Sequence, residues 1–315
     1  IMEHVEEAGV HSGDSACMLP PQNLSATTLA TIEEYTNRIA ERLEVVGLIN
    51  IQYVVKKVGE SETVFVIEAN PRASRTVPFV SKAIGIPLVK VAARVMLGES
   101  LETLRNNGGL VHKTAGNHVS VKEAVLPFNR FPETDAILGP EMRSTGEVMG
   151  IDMTPGLAFA KSQISAGMAL PEQGAVFLSL ADRDKDIGVE TASLLAQLGF
   201  TIAATSGTAS ALNKANIEVI DVIAKLGDKS GTTAIELIES GKIRLVINSP
   251  RGRGPRADGG HIRKAAAEQG IPLLTTASAG LALAKGLVDW RSHTLRVRPL
   301  QHFHTISSAQ QQLEI

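Results

Sequence analysis

A single cysteine, Cys17, stands in 315 residues, so no disulfide can form within the chain. That scarcity fits a reducing, cytoplasmic setting in which packing alone holds the fold. Aromatic residues are equally few: one tryptophan, two tyrosines and eight phenylalanines, 3% of the sequence. A surface that binds nucleic acid by stacking interleaves aromatics with cations, and the arginines at 251, 253 and 256 sit in a glycine-rich loop without them. Charge of one sign is missing as well. Lys plus Arg is 31 against 33 for Asp plus Glu, a formal net charge of −2. That balance argues against bulk attraction to nucleic acid or to an anionic membrane. No apolar run approaches the 18 or so residues of a membrane helix, and no secretory leader pattern opens the sequence. Cys17 and the pair His302/His304 lack partners at metal-ligand spacing and read as structural or surface residues.

What is present is a globular composition: 43% hydrophobic and 20% charged residues. The length suits about two domains of roughly 100–200 residues. The opening "IMEHVEEAGVHSGD" begins as if inside a structured element, so the sequence is expected to be a piece of a longer chain. Residues 1–168 read as α+β. "LSATTLATIEEYTNRIAERLEVVG" predicts a helix capped by Ser25 and stopped by Gly47. The strand-like runs "LINIQYVVKKV" and "TVFVIEA" follow around a turn at "GES". "PLVKVAARVMLG" predicts a helix from Pro87 to Gly98, and residues 102–120 read as polar and irregular. A strand-and-loop region and a short helix near 155–166 complete this part.

"SAGMALPEQG" reads as a linker, and residues 169–315 change style. The strands "AVFLSLA", "FTIAAT", "IEVIDVI", "IRLVINS" and "IPLLTTA" alternate with helical stretches such as "DIGVETASLLAQLG". Such alternation predicts βαβ units and a doubly wound, mostly parallel sheet of α/β type. Ligands of such sheets sit beyond the carboxyl ends of the strands. There the sequence places Thr205, Ser206, Gly207, Thr208, Asn248, Ser249, Thr275 and Thr276, with Lys185 after the first strand. Hydroxyls and glycine entering helices suit a phosphate, because free N–H groups and the helix dipole favour an anion. Plain helix capping is the competing reading of each such turn.

The most concentrated chemistry lies in "FVIEANPRASRTVPF", residues 65–79. Strand alternation puts Glu68 and Asn70 on one face and Phe65, Ile67 and Ala69 on the other. A hairpin loop of odd length centred on Glu60 would set Gln52 directly opposite Glu68; a two-residue loop at Glu60-Ser61 would put them on opposite faces. The odd loop assembles Gln52, Glu68 and Asn70 into an oxygen cluster with one charge, which suits Mg2+ or Mn2+ with substrate phosphates. Arg72 and Arg75 then offer bidentate donors to an anion beside the metal. The competing reading is a polar strand end with solvated arginines.

"IEANPRASRTVPFVSKAIGIPLVKVAARVMLG", with "EHVEEAGVHSGDSACMLPP" upstream and "LPFNRFPETDAILGPEMRSTGEVMG" downstream, closely resembles the second ATP-grasp half of carbamoyl-phosphate synthetase large chains. The resemblance extends into 169–315, which is similar to the methylglyoxal-synthase-like regulatory domain of that family. It implies ATP and a divalent metal at Gln52, Glu68 and Asn70, with Arg72 and Arg75 facing the transferred phosphate and carbamate. Gly9, Val10, His11 and Ser12 would line the nucleotide pocket; a loop or core histidine is the bland alternative for His11. Arg143, Ser144 and Glu147 match in "MRSTGEVMG" without an assignable role. The resemblance also implies a UMP- or IMP-type effector at Lys185, Thr205, Thr208, Lys225 and Asn248. Glu6, Asp14, Glu123 and Thr275 match positions that bind ornithine in some members; a solvated strand-end carboxylate is the alternative for Glu123. Implied partners are a glutamine amidotransferase small subunit and the remainder of the large chain. Pro250 stands where some relatives carry a hydroxyl, and the "GDPL"-type loop of methylglyoxal synthesis is not found. Two other classes compete: a non-catalytic nucleotide-sensing module, and another ATP-grasp ligase such as a biotin-dependent carboxylase. An effector sensor has no use for a metal cluster, and the domain after "LPEQG" disfavours the carboxylase.

Overall fold

The computed structural model describes residues 1–59, 61–110, 117–131, 134–223, 232–250 and 259–305. Lys225 and the arginines at 251, 253 and 256 lie outside the described residues. The chain forms two units that interleave in sequence: Ile1–His4, Cys17–Ser120 and Arg296 onward, and Val5–Ala16 with Val121–Leu295. This division differs from a single cut at 168/169.

In the first unit, β1 (Glu3–His4) pairs antiparallel with β2 (Cys17–Leu19). Helix α1 (Ala26–Arg42) begins where expected, because the Ser25 hydroxyl accepts the Thr28 N–H. It ends at Arg42, short of Gly47, which adopts φ 108° in the following turn. Strands β3 (Asn50–Val58) and β4 (Ser61–Asn70) form an antiparallel pair. Helices α2 (Val77–Ile84), α3 (Leu88–Met96) and α4 (Leu101–Asn106) follow. The last corrects the irregular reading of 102–120: Ser100 caps α4 through the Thr103 N–H, and only Leu104 is buried, so the polar sequence carries no apolar stripe.

Strand β5 (Val119–Val125) enters the second unit at Val121, where it neighbours β6 (Gly146–Asp152). Helix α5 (Pro155–Ser165) is capped by Thr154. The alternating region then reads β7 (Ala175–Ser179), α6 (Lys185–Gln197), β8 (Thr201–Thr205), α7 (Ser206–Lys214), β9 (Asp221–Ile223), α8 (Ala234–Glu239), β10 (Ile243–Asn248), α9 (Gly260–Glu268), β11 (Leu273–Leu274) and α10 (Ala277–Ser292). A last short helix, α11 (Leu300–Thr305), belongs to the first unit. The sheet order is β11-β10-β7-β8-β9, with every pairing parallel. The chain therefore winds outward from β7 in one direction and resumes at β10 in the other, which makes the β7/β10 boundary the switch point. Phe177, Leu178, Val246 and Ile247 are at most 1% exposed. Strands covered on both faces must be apolar throughout, which is why the sequence shows them as continuous runs.

Candidate functional site

The β3–β4 hairpin corrects one expectation and restores its consequence. Glu60 lies outside the described residues, but Val58 faces Ser61, so the pairing leaves an even number of residues between the strands rather than an odd one. That register alone would set Gln52 opposite Ile67. The ladder shifts by one between Tyr53 and Gln52, leaving Ile67 as a bulge, and Gln52 pairs with Glu68 and Asn50 with Asn70. Phe65, Val66 and Ile67 are all exposed, at 44–50%, so neither face of this stretch is buried. Asn70 Nδ2 donates to Glu68 Oε1 at 3.0 Å, which orients the amide and holds the carboxylate at the strand end. Arg72 follows in a tight turn, its N–H on the Asn70 carbonyl at 2.8 Å and Nη1 on the Ala73 carbonyl at 3.2 Å. Arg72 is exposed and Arg75 half-buried. One carboxylate and two side-chain amide oxygens on adjoining ladder positions are hard donors that fit a small divalent cation carrying substrate phosphate. Among the described residues no group of three or more His, Cys, Asp and Glu is arranged to hold a metal ion.

The loop holding Gly9, Val10, His11 and Ser12 lies in the second unit. Gly9 takes φ 92°, a conformation that a side chain resists. The His11 N–H donates to the Gly139 carbonyl at 2.8 Å, and His11 Nδ1 accepts the Gly13 N–H at 3.0 Å. The Ser12 carbonyl accepts Lys122 Nζ at 2.8 Å. Asp14, 1% exposed, uses both carboxylate oxygens on backbone: Arg143 N–H at 2.7 Å and Ser144 N–H at 2.9 Å. Arg143 and Ser144 thereby gain a definite part, as the segment that clamps this loop.

Beside it lies a pair of carboxyls, Glu123 buried and Glu6 half-buried. Glu6 Oε2 accepts the Ala16 N–H at 2.5 Å, and Glu123 accepts Ala124 N–H at 3.1 Å and the Gln163 amide. Burial pushes both carboxyls well above the usual carboxylate range, and the charge of Glu123 adds to the rise at Glu6. Glu123 is therefore no solvated strand end. Sequence reasoning missed Lys122, fully buried on the same strand, and Gln163. A lysine next to a glutamate inside an apolar run was the visible signal for the first; Gln163 offered none.

At the switch point the anticipated groups converge on one edge. Thr205 ends β8, and its hydroxyl donates to Thr208 Oγ1 at 3.1 Å. Thr208 Oγ1 accepts the Leu180 N–H at 3.0 Å, and Ser249 Oγ accepts the Ala181 N–H at 3.0 Å. Asn248, 2% exposed at the end of β10, donates from Nδ2 to the Ser179 carbonyl at 3.2 Å. Lys185 opens α6 and pairs with Asp182 at 2.6 Å. Thr276, rather than Thr275, caps α10, accepting the Ala279 N–H at 3.1 Å. Thr275 stands just before it, half-buried.

These features place an ATP-grasp-type segment ahead of a methylglyoxal-synthase-like domain. The family model "Carbamoyl-phosphate synthase L chain, ATP binding domain" matches residues 2–104, and "MGS-like domain" matches 188–275. Nearly the whole chain aligns with proteins called "Carbamoyl phosphate synthase large chain". That of Synechocystis sp. is 48% identical over 303 residues, covering 96% of this chain and 27% of the relative. That of Methanothermobacter thermautotrophicus is 48% identical over 304 residues, with 96% and 28% covered. The "Carbamoyl phosphate synthase large chain, C-terminal section" of Methanocaldococcus jannaschii is 46% identical over 307 residues, with 95% and 49% covered. Over nearly its whole length the chain is similar to the C-terminal part of carbamoyl phosphate synthase large chains. It spans about a quarter of the full-length relatives and about half of the C-terminal section.

Proposed function

We propose that this chain supplies part of an ATP-dependent carbamoyl phosphate synthase: the wall of the site that phosphorylates carbamate, and the domain that regulates it. The observation that carries this reading is the bulged ladder that sets Gln52 opposite Glu68 with Asn70 two residues on, followed by Arg72 and Arg75. Gln52, Glu68 and Asn70 would hold Mg2+ or Mn2+. A divalent cation there supplies neutralisation of the phosphate charge as it develops. Arg72 and Arg75 present fixed cationic donors to the transferred phosphoryl group and the carbamate, so the charge built up during transfer meets groups already in place. Gly9, Val10, His11 and Ser12 would contribute to the nucleotide pocket, with Asp14 holding the loop rather than touching ligand. Transfer of the γ-phosphoryl from ATP to a carbamate oxygen gives carbamoyl phosphate and ADP. Ammonia would come from a glutamine-hydrolysing small subunit and carboxyphosphate from the remainder of the large chain, in the cytoplasm, for arginine and pyrimidine synthesis.

The regulatory part of the reading rests on the switch-point edge. Its hydroxyls at Thr205 and Thr208, the Asn248 amide and the Lys185 charge suit a nucleoside monophosphate such as UMP or IMP. The pair Glu6 and Glu123 suits a cationic amine of the ornithine type, which would draw protons off both carboxyls on binding. The test is Glu68→Gln in the longer enzyme, followed as carbamate-dependent ADP formation. We expect turnover to fall at least about 100-fold, since even outer partners of metal ligands cost 10–100-fold. Undiminished turnover would remove Glu68 from the site.

A further inference from the structure

Arg263, on α9, is only 1% exposed, and an uncompensated guanidinium at that depth would be costly. Its partners explain its position. Nε and Nη2 form a two-pronged ion pair with Asp135 at 2.6 and 2.7 Å, and Nη1 donates to Asn248 Oδ1 at 2.6 Å. Gly259 leaves room for this plane: a Cβ there would lie 2.3 Å from Arg263 Nη1 and 2.6 Å from Asn248 Oδ1. The bonding continues beyond Asp135, whose carbonyl accepts Arg143 Nη1 at 2.9 Å. Arg143 and Ser144 hold Asp14, and the Gly139 carbonyl holds the His11 N–H. A single rigid guanidinium thus ties the end of β10 to residues 135–145, and those are bonded repeatedly to residues 11–14.

We propose that Arg263 is the positioning residue through which a nucleoside monophosphate bound at the β7/β10 edge acts on the loop of Gly9 to Ser12. This rests on the nucleotide reading of Asn248 given above. Because Arg263 occupies Oδ1, the Asn248 amide is fixed with Nδ2 toward the Ser179 carbonyl, the end that can serve a phosphate or hydroxyl oxygen. A ligand that draws on Asn248 moves an acceptor of the guanidinium. The planar fork cannot follow without tilting its two bonds to Asp135, and Asp135 carries residues 137–145 with it. Burial works to raise the Asp135 carboxyl, but the hydrogen bonds and charge of Arg263 outweigh it and hold the carboxyl below the usual range. The Asp135 carboxylate therefore stays ionised at neutral pH.

Hydrogen–deuterium exchange on the 315-residue chain, with and without saturating UMP, IMP or inorganic phosphate, tests the link. In the wild type, nucleotide is expected to slow exchange at residues 245–250, at 139–145 and at 9–15. Asp135→Asn should bind UMP within about threefold of wild type yet lose the response at 9–15. Arg263→Lys keeps the charge but not the fork. It should bind UMP about tenfold more weakly, the loss of one charge-assisted hydrogen bond, and also lose the remote response. Unchanged exchange in β7 and β8 identifies variants that remain folded, and the half-exposed Asp135 is the milder of the two sites. A remote response that persists in Asp135→Asn overturns the coupling while the nucleotide reading stands. A wild type that binds neither UMP nor IMP overturns the nucleotide reading and the coupling with it.

Discussion

Replacing Glu6 with glutamine should flatten the fall of stability with rising pH. In the folded chain burial, reinforced by the Glu123 charge, lifts the Glu6 carboxyl from 4.5 to about 8, and burial lifts Glu123 from 4.5 to about 7. Unfolded, both titrate near the ordinary value. Between 4.5 and those raised values the folded state holds more protons than the unfolded state. Its stability is thus fully present below 4.5 and is lost as pH rises through the folded values. Each unit is worth about 1.4 kcal/mol per group. The two carboxyls titrate as a pair, so the loss expected across the window is of the order of a few kcal/mol rather than a sum of independent shifts. Glu6→Gln removes one titrating group and one repulsive charge while keeping an oxygen for the Ala16 N–H. Urea denaturation followed by circular dichroism, at steps from about pH 5 to about pH 8, reads the difference. The variant should match wild type at the acid end and exceed it by about 2 kcal/mol at the alkaline end. Parallel curves for the two proteins would refute the carboxyl-pair reasoning.

Lys122→Met should destabilise the chain by about 1–3 kcal/mol in urea, because the Ser12 carbonyl loses the ammonium it accepts from. An unchanged midpoint would show that this contact contributes nothing. Gly259→Ala should cost about 1–3 kcal/mol by forcing Arg263 off Asn248. The neighbouring control Gly260→Ala, whose Cβ meets its nearest atoms at 3.8 and 3.9 Å, should be silent. Equal effects of the two substitutions, read by thermal melting, would contradict the packing argument.

Much of the fold was legible for a physical reason. Strands β7, β8 and β10 are buried on both faces, so their sequences are apolar runs bounded by turns, and the parallel α/β sheet follows from their alternation with helices. The α1 start was legible because Ser25 caps it in fact as in pattern. The hairpin register was not, because a bulge at Ile67 leaves no mark in a continuous apolar run whose residues 65–67 are exposed. Gln52 meets Glu68 through the bulge, which supplies the one-residue shift that an odd loop would otherwise have had to give. Helix α4 was missed because a polar segment with one buried leucine has no periodicity to read. At the site, Thr205, Thr208 and Asn248 could be anticipated from strand ends. Arg263 and Asp135, 128 residues apart, could not, since only the fold brings such a pair together.

Gln52 and Glu68 are proposed to act on one metal–phosphate group, and a double-substitution cycle distinguishes shared from separate action. Manganese binding in the presence of ATP, followed by electron paramagnetic resonance on the longer enzyme, would compare wild type with Gln52→Ala, Glu68→Gln and the double variant. If both side chains meet the same ion, each single change weakens binding and the double change is little worse than the worse single one. Full affinity in either single variant, or losses that simply multiply, would contradict the account.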